Sequence, residues 1–253
     1  MSEPILSVRG LTKTFKLQGR EDVHAVKDVT FDLMPGECLG LIGESGSGKT
    51  TLVNLITGLL PATSGTVTLD GLEVTKCRGK ALRAAWKKMQ VVFQTPTESF
   101  DPRRTLGDGI CESMRNNGVS KAAAVARAKE LLKLCGLPEE FVKRYPHEVS
   151  GGQCQRAAIA RALAIEPKLL ICDEATSALD VTIQAEIIAL LRELRQKLDM
   201  SILFICHDIA LVQQFCDRVV VMYRGEIVEE GVPSEVIASP KNDYTQDLIN
   251  SIL

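Results

Sequence analysis

A chain of 253 residues, 45% hydrophobic and 25% charged, has the length and composition of one large α/β domain or two small ones. Its formal net charge of −2 lacks the basic excess that nucleic-acid-binding domains usually carry, so we expect no nucleic-acid partner. Eight cysteines without a C-x-x-C pair argue against a zinc site, and the absence of an apolar run of roughly 20 residues argues against a membrane span.

The first predicted elements are strands. Residues 5–8 and 26–33 tend to alternate between apolar and polar side chains, whereas residues 38–42 are continuously apolar, as expected for a strand that a parallel sheet buries on both faces. Further along, the dipeptide Asp70-Gly71 stands between two apolar stretches and is typical of a β-hairpin turn. These patterns predict an antiparallel β layer beside a mostly parallel core.

Helical patterns dominate the middle of the chain. Residues 97–165 contain no strand run, and within them residues 121–135 are rich in Ala, Leu and Lys and are followed by Gly136, a common helix terminator. We predict a single α/β domain over residues 1–253, with a helical subdomain inserted at about 97–165.

Two more continuously apolar runs, residues 169–172 and 202–206, predict buried parallel strands with a helix over residues 181–198 between them. One face of that helix is expected to carry the apolar side chains Ile183, Ile187, Leu190, Leu191, Leu194 and Leu198. A polar cluster follows each of the three buried strands, and the carboxyl ends of parallel strands line the ligand crevice of an open α/β sheet. We therefore expect the three clusters to converge on one site.

The first polar cluster is a phosphate loop. Residues 43–50 read Gly-Glu-Ser-Gly-Ser-Gly-Lys-Thr and match the pattern G-x-x-x-x-G-K-[ST] in full, directly after an apolar strand. Its glycines let successive backbone N–H groups point at a phosphate, while Lys49 reaches the β- and γ-phosphates and the Thr50 hydroxyl binds Mg²⁺. The predicted ATP-binding residues of this segment are Gly43, Glu44, Ser45, Gly46, Ser47, Gly48, Lys49, Thr50 and Thr51.

The second cluster is the acidic pair Asp173-Glu174 at the end of a buried strand. Asp173 is placed to hold Mg²⁺, and Glu174 is placed to polarise an attacking water. Two adjacent carboxylates alone often mark only a solvated loop or a helix cap. The apolar strand and the phosphate loop upstream favour the catalytic interpretation.

Residues 150–153 form a separate polar segment, which does not follow any of the three buried strands. Ser150 and Gln153 predict a helix that begins with a capping box, and this capping role is the simplest interpretation. A helix N-terminus with a serine hydroxyl and two bare glycines, Gly151 and Gly152, is also an anion site. The chain thus carries two phosphate-binding devices, and one nucleotide can use both only if they come from different subunits.

Residues 150–153, the phosphate loop and the Asp173-Glu174 pair together resemble the motifs of ABC ATPases, over nearly the whole chain. The resemblance implies an α/β fold with a P-loop NTPase core of the ABC ATPase type, and ATP and Mg²⁺ as cofactors. It also implies that ATP closes a head-to-tail dimer around two nucleotides. In that dimer Glu174 activates water, while His207 and Lys49 stabilise charge on the γ-phosphate.

Four further positions match that family. Phe15 resembles the aromatic residue that stacks on adenine, and Gln94 resembles the Q-loop glutamine that touches Mg²⁺ and relays nucleotide state to membrane subunits. Ser177-Ala-Leu-Asp180 resembles the D-loop at the dimer interface, and His207 resembles the switch histidine. Taken singly, Phe15 could be a core residue and Asp180 a helix cap. Their order and spacing behind a complete phosphate loop favour the family roles.

Other segments narrow the resemblance to the ATPases of oligopeptide, dipeptide and nickel importers; they are residues 101–104, 179–186, 216–223 and 239–248. Many members of that group continue past residues 239–248 into a cysteine-containing extension, whereas the sequence here stops at Leu253. Nickel or metal-chelate uptake therefore stays open beside uptake of peptides.

The resemblance to importer ATPases implies a peripheral subunit at the cytoplasmic face of the cell membrane. Its partners would be transmembrane permease subunits, a second ABC ATPase subunit and, indirectly, an extracytoplasmic substrate-binding protein. Importers of this group commonly pair two different ATPases, which favours a heterodimer over a homodimer. An accessory ABC ATPase of a soluble complex, such as one for phosphonate breakdown, would carry nearly the same motifs and is the alternative.

Overall fold

The computed structural model describes residues 3–16, 21–175 and 179–250. Within these ranges the strands form a four-stranded sheet and a six-stranded sheet. In chain order the strands are β1 (Leu6–Phe15), β2 (Val23–Leu33), β3 (Cys38–Ile42), β4 (Ser64–Leu69), β5 (Leu72–Glu73), β6 (Met89–Val92), β7 (Leu169–Asp173), β8 (Ser201–Ile205), β9 (Arg218–Tyr223) and β10 (Glu226–Gly231).

The helices in the same ranges are α1 (Lys49–Ile56), α2 (Gly79–Lys88), α3 (Leu106–Asn116), α4 (Lys121–Leu134), α5 (Gly151–Leu163), α6 (Val181–Leu198), α7 (Ile209–Phe215), α8 (Pro233–Ala238) and α9 (Asp243–Asn250). Short 3₁₀ turns lie at Val74–Lys76, Glu139–Lys143 and Pro146–Glu148. Among the helices of the described residues, none is both long and apolar enough to cross a membrane.

The centre of the six-stranded sheet is parallel, with the strand order β10-β9-β3-β8-β7-β6. β3 and β8 are buried along their whole length, as their continuous apolar runs predict. Since β3, β8 and β7 are neighbours, the segments that follow them meet at one edge of the sheet. The predicted convergence of the phosphate loop with Asp173 and Glu174 follows from this strand order.

Two hydrophobic cores cover the two faces of this sheet. Leu170 and Ile202 belong to the core shared with helices α3 to α7, whereas Leu169 and Leu203 belong to the core shared with β1 and α1. Successive side chains of a strand point to opposite faces, so each apolar run supplies both cores at once. A strand of this kind needs the unbroken apolar sequence from which it was predicted.

The predicted antiparallel layer is the four-stranded sheet, in the order β2-β1-β4-β5. Its β1 continues well past residue 8, as far as Phe15. The hairpin between β4 and β5 turns at Asp70 and Gly71, whose φ angles of 46° and 76° are both in the left-handed region. A two-residue hairpin turn of type I′ requires this conformation at both positions, which confirms the prediction from the Asp-Gly dipeptide.

Between β6 and β7 the chain is helical and forms α3, α4 and α5, and residues 93–168, all described, contain no strand. The helix predicted over 121–135 ends at Leu134, and Gly136 follows with a φ of 73°. The interpretation of residues 97–165 as a separate inserted subdomain stays a prediction.

Several details of the sequence analysis were wrong or incomplete. The strands β6, β9 and β10 were not predicted, and β8 ends one residue earlier than expected, at Ile205. Leu198 was expected on the buried face of α6 but is 41% exposed, because it is the last residue of the helix, beside the exposed turn at Asp199. Ile188, which was not part of the predicted apolar face, is buried.

Candidate nucleotide-binding site

The phosphate loop, residues 43–50, connects β3 to α1 and depends on three glycines with positive φ. Gly43, Gly46 and Gly48 have φ angles of 152°, 82° and 109°. A Cβ atom on Gly43 would lie 2.2 Å from the carbonyl oxygen of Met222, and one on Gly48 would lie 2.3 Å from that of Ala25. The loop is therefore packed against the backbone of two strands, with no room for side chains at these two points.

The third glycine faces open space. Apart from Gly46 itself and its two neighbours in the chain, no described residue has an atom within 4 Å of the Gly46 Cβ position. The buried hydroxyl of Ser47 has no hydrogen-bond partner within the described part of the chain, and the start of α1 has no side-chain cap. An unused hydroxyl and uncapped helix N–H groups beside an open space fit a bound phosphate, which would satisfy them.

Lys49 is the first residue of α1 and only 5% exposed. Its Nζ donates hydrogen bonds to the carbonyl oxygens of Gly43, at 2.7 Å, and Glu44, at 2.9 Å. Burial lowers the pKa of Lys49 below its ordinary value, against the opposing effect of the nearby carboxylates of Glu174 and Asp173. The ammonium group thus lies inside the loop, between the backbone and the acidic pair.

The acidic pair lies at the end of β7. Asp173 is the last residue of the strand, and Glu174 follows with a φ of 49°, an uncommon conformation for a residue other than glycine. The backbone N–H of Glu174 donates to the carbonyl oxygen of Ile205, at the end of β8. Burial, together with the Glu174 carboxylate, raises the pKa of Asp173, and Lys49 opposes that shift.

Two cavities meet at the phosphate loop. The loop cavity, of about 490 Å³, is lined by the loop, by His24 and Lys27 of β2, by Glu174 and by Arg224. The glutamine cavity, of about 1000 Å³, is lined by Gln94, Thr50, Asp173 and Glu174 among others. Ser45, Thr50 and Glu174 line both cavities.

The residues predicted to bind Mg²⁺ come together in the glutamine cavity. Thr50, Gln94 and Asp173 all line it, and each carries an oxygen atom, the ligand type that Mg²⁺ prefers. The donor set therefore fits the metal.

The helix start at residues 150–153 lies elsewhere. The backbone N–H of Gln153 donates to Ser150 Oγ at 3.3 Å, and that of Ser150 donates to Gln153 Oε1 at 2.9 Å, which confirms the predicted capping box. Gly152 is buried, and a Cβ there would lie 2.6 Å from Cγ2 of Ile183 on α6. Neither cavity at the phosphate loop is lined by residues 150–153.

Three further predicted residues, Asp180, His207 and Phe15, also lie outside both cavities. Asp180 caps α6 by accepting the N–H of Ile183 at 3.0 Å, while Ser177 falls outside the described residues. His207 is exposed just after β8. Phe15 is 37% exposed at the end of β1, opposite Val23, which itself lines the loop cavity.

The turn between β9 and β10 also belongs to the site, and it was not predicted from the sequence. Gly225 donates its N–H to the carbonyl oxygen of Ser47 at 2.8 Å and accepts the N–H of Lys27 at 2.8 Å. Arg224, beside it, lines the loop cavity with a φ of 47°. An Arg-Gly pair after an apolar run is a weak hairpin signal, and nothing in the local sequence connects it with the phosphate loop.

Gly48→Ala and Gly46→Ala together test whether the phosphate loop is tightly packed at Gly48 and faces open space at Gly46. Both glycines have positive φ, but only the Cβ at Gly48 meets backbone, at Ala25. We expect Gly48→Ala to lower the free energy of unfolding by about 1–3 kcal/mol more than Gly46→Ala does. Urea titrations of the nucleotide-free chains measure this difference, and equal losses would contradict the packing described above.

The amino-acid sequence is similar to those of known proteins. A family profile of ABC transporters matches residues 26–177. A putative peptide import ATP-binding protein of Brucella ovis is 42% identical over 250 residues, which cover 98% of this chain and 78% of that protein. A glutathione import ATP-binding protein of Pectobacterium atrosepticum is 44% identical over 258 residues, covering 99% of this chain and 41% of that longer protein.

Two solved structures have similar folds. A part of the ABC transporter complex cbiONQ from Clostridium perfringens has a TM-score of 0.84 and 31% identity, covering 94% of this chain and 92% of its own. A dimeric ATP-binding cassette in a post-hydrolysis state, bound to ADP and Pi, has a TM-score of 0.82 and 31% identity, covering 90% and 98%. The chain therefore belongs to the ABC transporter family, as an ATPase that uses ATP and Mg²⁺.

Proposed function

We propose that this chain is the ATP-hydrolysing subunit of a peptide importer, and that it couples ATP binding and hydrolysis to uptake through a membrane permease. The observation that carries the hydrolytic part is the meeting of Lys49, Thr50, Gln94, Asp173 and Glu174 around two adjoining cavities. The import part is supported by relatives named for import of peptides and of glutathione, which is itself a tripeptide. Nickel uptake and a soluble complex have no such support.

In the proposed reaction the phosphate loop and Lys49 hold the β- and γ-phosphates. Glu174 accepts a proton from water as the water oxygen attacks the γ-phosphorus, and the bond from that phosphorus to the bridging oxygen breaks. The products are ADP and inorganic phosphate. Thr50, Gln94 and Asp173 would hold Mg²⁺, which neutralises phosphate charge when bound. Catalysis rests on positioning and electrostatics, and His207 would contact the γ-phosphate and stabilise its charge.

We assign Ser150, Gly151, Gly152 and Gln153 to the nucleotide of a neighbouring ATPase subunit. Their position supports this, since they lie outside both cavities of their own chain. Nearby, the Cβ position of Gly151 lies 3.6 Å from the Leu179 side chain, and the apolar Val181 at the start of α6 is 80% exposed. Such a surface suits burial by a second subunit.

That second subunit would be a related ATPase in a heterodimer, or an identical chain in a homodimer. In either dimer Phe15 would stack on the adenine of the bound nucleotide, and Asp180 would lie at the subunit interface. A dimeric cassette with bound ADP and Pi among the similar structures supports a dimer. An extracytoplasmic binding protein would select the peptide and act on this chain only through the permease.

The proposed contact with the permease lies beside Gln94, at the cytoplasmic membrane face. Phe93 and Leu59 line the glutamine cavity and are 43% and 57% exposed. Exposed apolar side chains of this kind are typical of protein contacts. Since they lie beside Gln94 at the proposed metal site, a permease bound there would sense whether the nucleotide is present.

Co-purification tests this proposal. The chain, captured from detergent-solubilised membranes, should bring down a protein with several membrane-spanning helices, identified by mass spectrometry. Phe93→Asp is expected to lower that recovery on the order of tenfold without changing ATP binding, as expected for the loss of a central aromatic contact. Val119→Asp is the matched control, because Val119 is 39% exposed in the turn between α3 and α4. Recovery of soluble enzymes in place of a permease would contradict the importer assignment.

A further inference from the structure

A residue near the end of the described chain touches the phosphate loop. The backbone N–H of Glu44 donates a hydrogen bond to Tyr244 Oη at 2.9 Å, and Tyr244 belongs to α9, 200 residues further along the chain. We propose that Tyr244 is a positioning residue for ATP binding, which fixes the first peptide group of the phosphate loop. The inference rests on the proposed ATP site.

The peptide group between Gly43 and Glu44 is held at both ends. Its carbonyl oxygen, on Gly43, accepts the hydrogen bond from Lys49 Nζ at 2.7 Å, and its N–H, on Glu44, donates to Tyr244. Hydrogen bonds at opposite ends of one peptide group polarise each other and fix its orientation. When Lys49 turns to the phosphates of ATP, Tyr244 is the partner that continues to hold this peptide group.

The ring of Tyr244 is itself fixed by an aromatic stack. It lies on the ring of Tyr223, with centroids 4.0 Å apart and an angle of 23° between the planes. The guanidinium of Arg224 also lies over the ring of Tyr223, 5.0 Å from the ring centroid. Since Arg224 lines the loop cavity, the stack connects α9 with the cavity as well as with the loop.

The start of α9 is fastened to β10. The buried carboxylate of Glu229 accepts the N–H groups of Lys241, at 2.9 Å, and Asn242, at 3.1 Å. The side-chain oxygen of Asn242 in turn accepts the N–H of Tyr244 at 2.9 Å. Tyr244 is thus presented to the loop from an anchored backbone. Burial raises the pKa of Tyr244, so its hydroxyl is a neutral acceptor at neutral pH.

Tyr244→Phe removes the hydroxyl and keeps the ring stack. We expect the dissociation constant for ATP, measured with the full chain by calorimetry at 10 °C, to rise about 3- to 10-fold, as the loss of one hydrogen bond predicts. KM for ATP should rise by the same factor while kcat stays within about twofold, because the groups that act on the γ-phosphate are untouched. Tyr145→Phe is the matched control, as that exposed tyrosine also stacks on a neighbouring ring, His147.

A purely structural role for Tyr244 predicts a different pattern. Tyr244→Phe would then lower the melting temperature and leave ATP affinity at 10 °C equal to that of Tyr145→Phe, and this outcome would overturn the proposal. A fall in kcat with unchanged KM would also overturn it. Failure of the ATP site itself is distinguishable, because the wild-type chain would then neither bind nor hydrolyse ATP.

Discussion

Replacing Glu174 with glutamine is expected to leave ATP binding intact and to lower kcat by about 10²- to 10⁴-fold, because the amide cannot accept the proton of the attacking water. The substitution keeps the size of the side chain. The backbone of Glu174 is also held independently of the carboxylate, by its N–H on Ile205. The substitution therefore removes the proton acceptor together with its negative charge beside Lys49 and Asp173, while the backbone contact is kept.

Steady-state hydrolysis and equilibrium ATP binding measure the two halves of this expectation. Glu140→Gln is a matched control, since Glu140 lies exposed in the 3₁₀ turn at Glu139–Lys143 and lines neither cavity. If Glu174→Gln hydrolyses ATP at the rate of Glu140→Gln, Glu174 is not the base.

Replacing Ser150 with arginine is expected to lower turnover at least 100-fold while ATP still binds to the phosphate loop of the same chain. The bulky side chain would occupy the space that the proposed partner's nucleotide needs at the start of α5. It also removes the N-cap of α5, which costs about 1 kcal/mol of stability. A control variant must therefore lose the same amount of stability by losing a helix N-cap elsewhere.

Ser120→Arg is that control. Ser120 caps α4 in the same way, accepting the N–H of Ala123 at 3.3 Å, and lines neither cavity. Both variants should lose similar stability in urea, and only Ser150→Arg should lose ATP hydrolysis. Equal hydrolysis rates would contradict a role for residues 150–153 at the nucleotide.

The parts of the fold that the sequence predicted best are those with local causes. A phosphate loop is a contiguous backbone shape. The strand β3, residues 169–172 of β7 and residues 202–205 of β8 are continuously apolar because both of their faces are buried. β6 was missed because its four residues include Gln90 and are too short for a periodic signal. The contact of Tyr244 with Glu44 joins residues 200 apart, and no local pattern encodes it.

The same distinction between local and long-range causes applies to the candidate site. The cap roles of Ser150 and Asp180 are local and are confirmed by their hydrogen bonds. Their nucleotide roles, like those of Phe15 and His207, stay predictions, since sequence order does not tell whether one chain or two build a site. The left-handed turn at Glu174 was not predictable either, because a residue other than glycine rarely adopts it and because the N–H of Glu174 bonds to β8, which is distant in sequence.

The most direct test of a nucleotide shared by two subunits is the mass of the Glu174→Gln chain in solution with Mg²⁺ and ATP, measured by analytical ultracentrifugation. We expect the 27.6 kDa chain to form a dimer in the presence of ATP, either with a second copy of itself or with the second ATPase subunit of its complex. A chain that carries both Glu174→Gln and Ser150→Arg should bind ATP and stay monomeric. Equal masses for the two variants with ATP, both for each chain alone and for each chain mixed with the second ATPase subunit, would contradict the shared site.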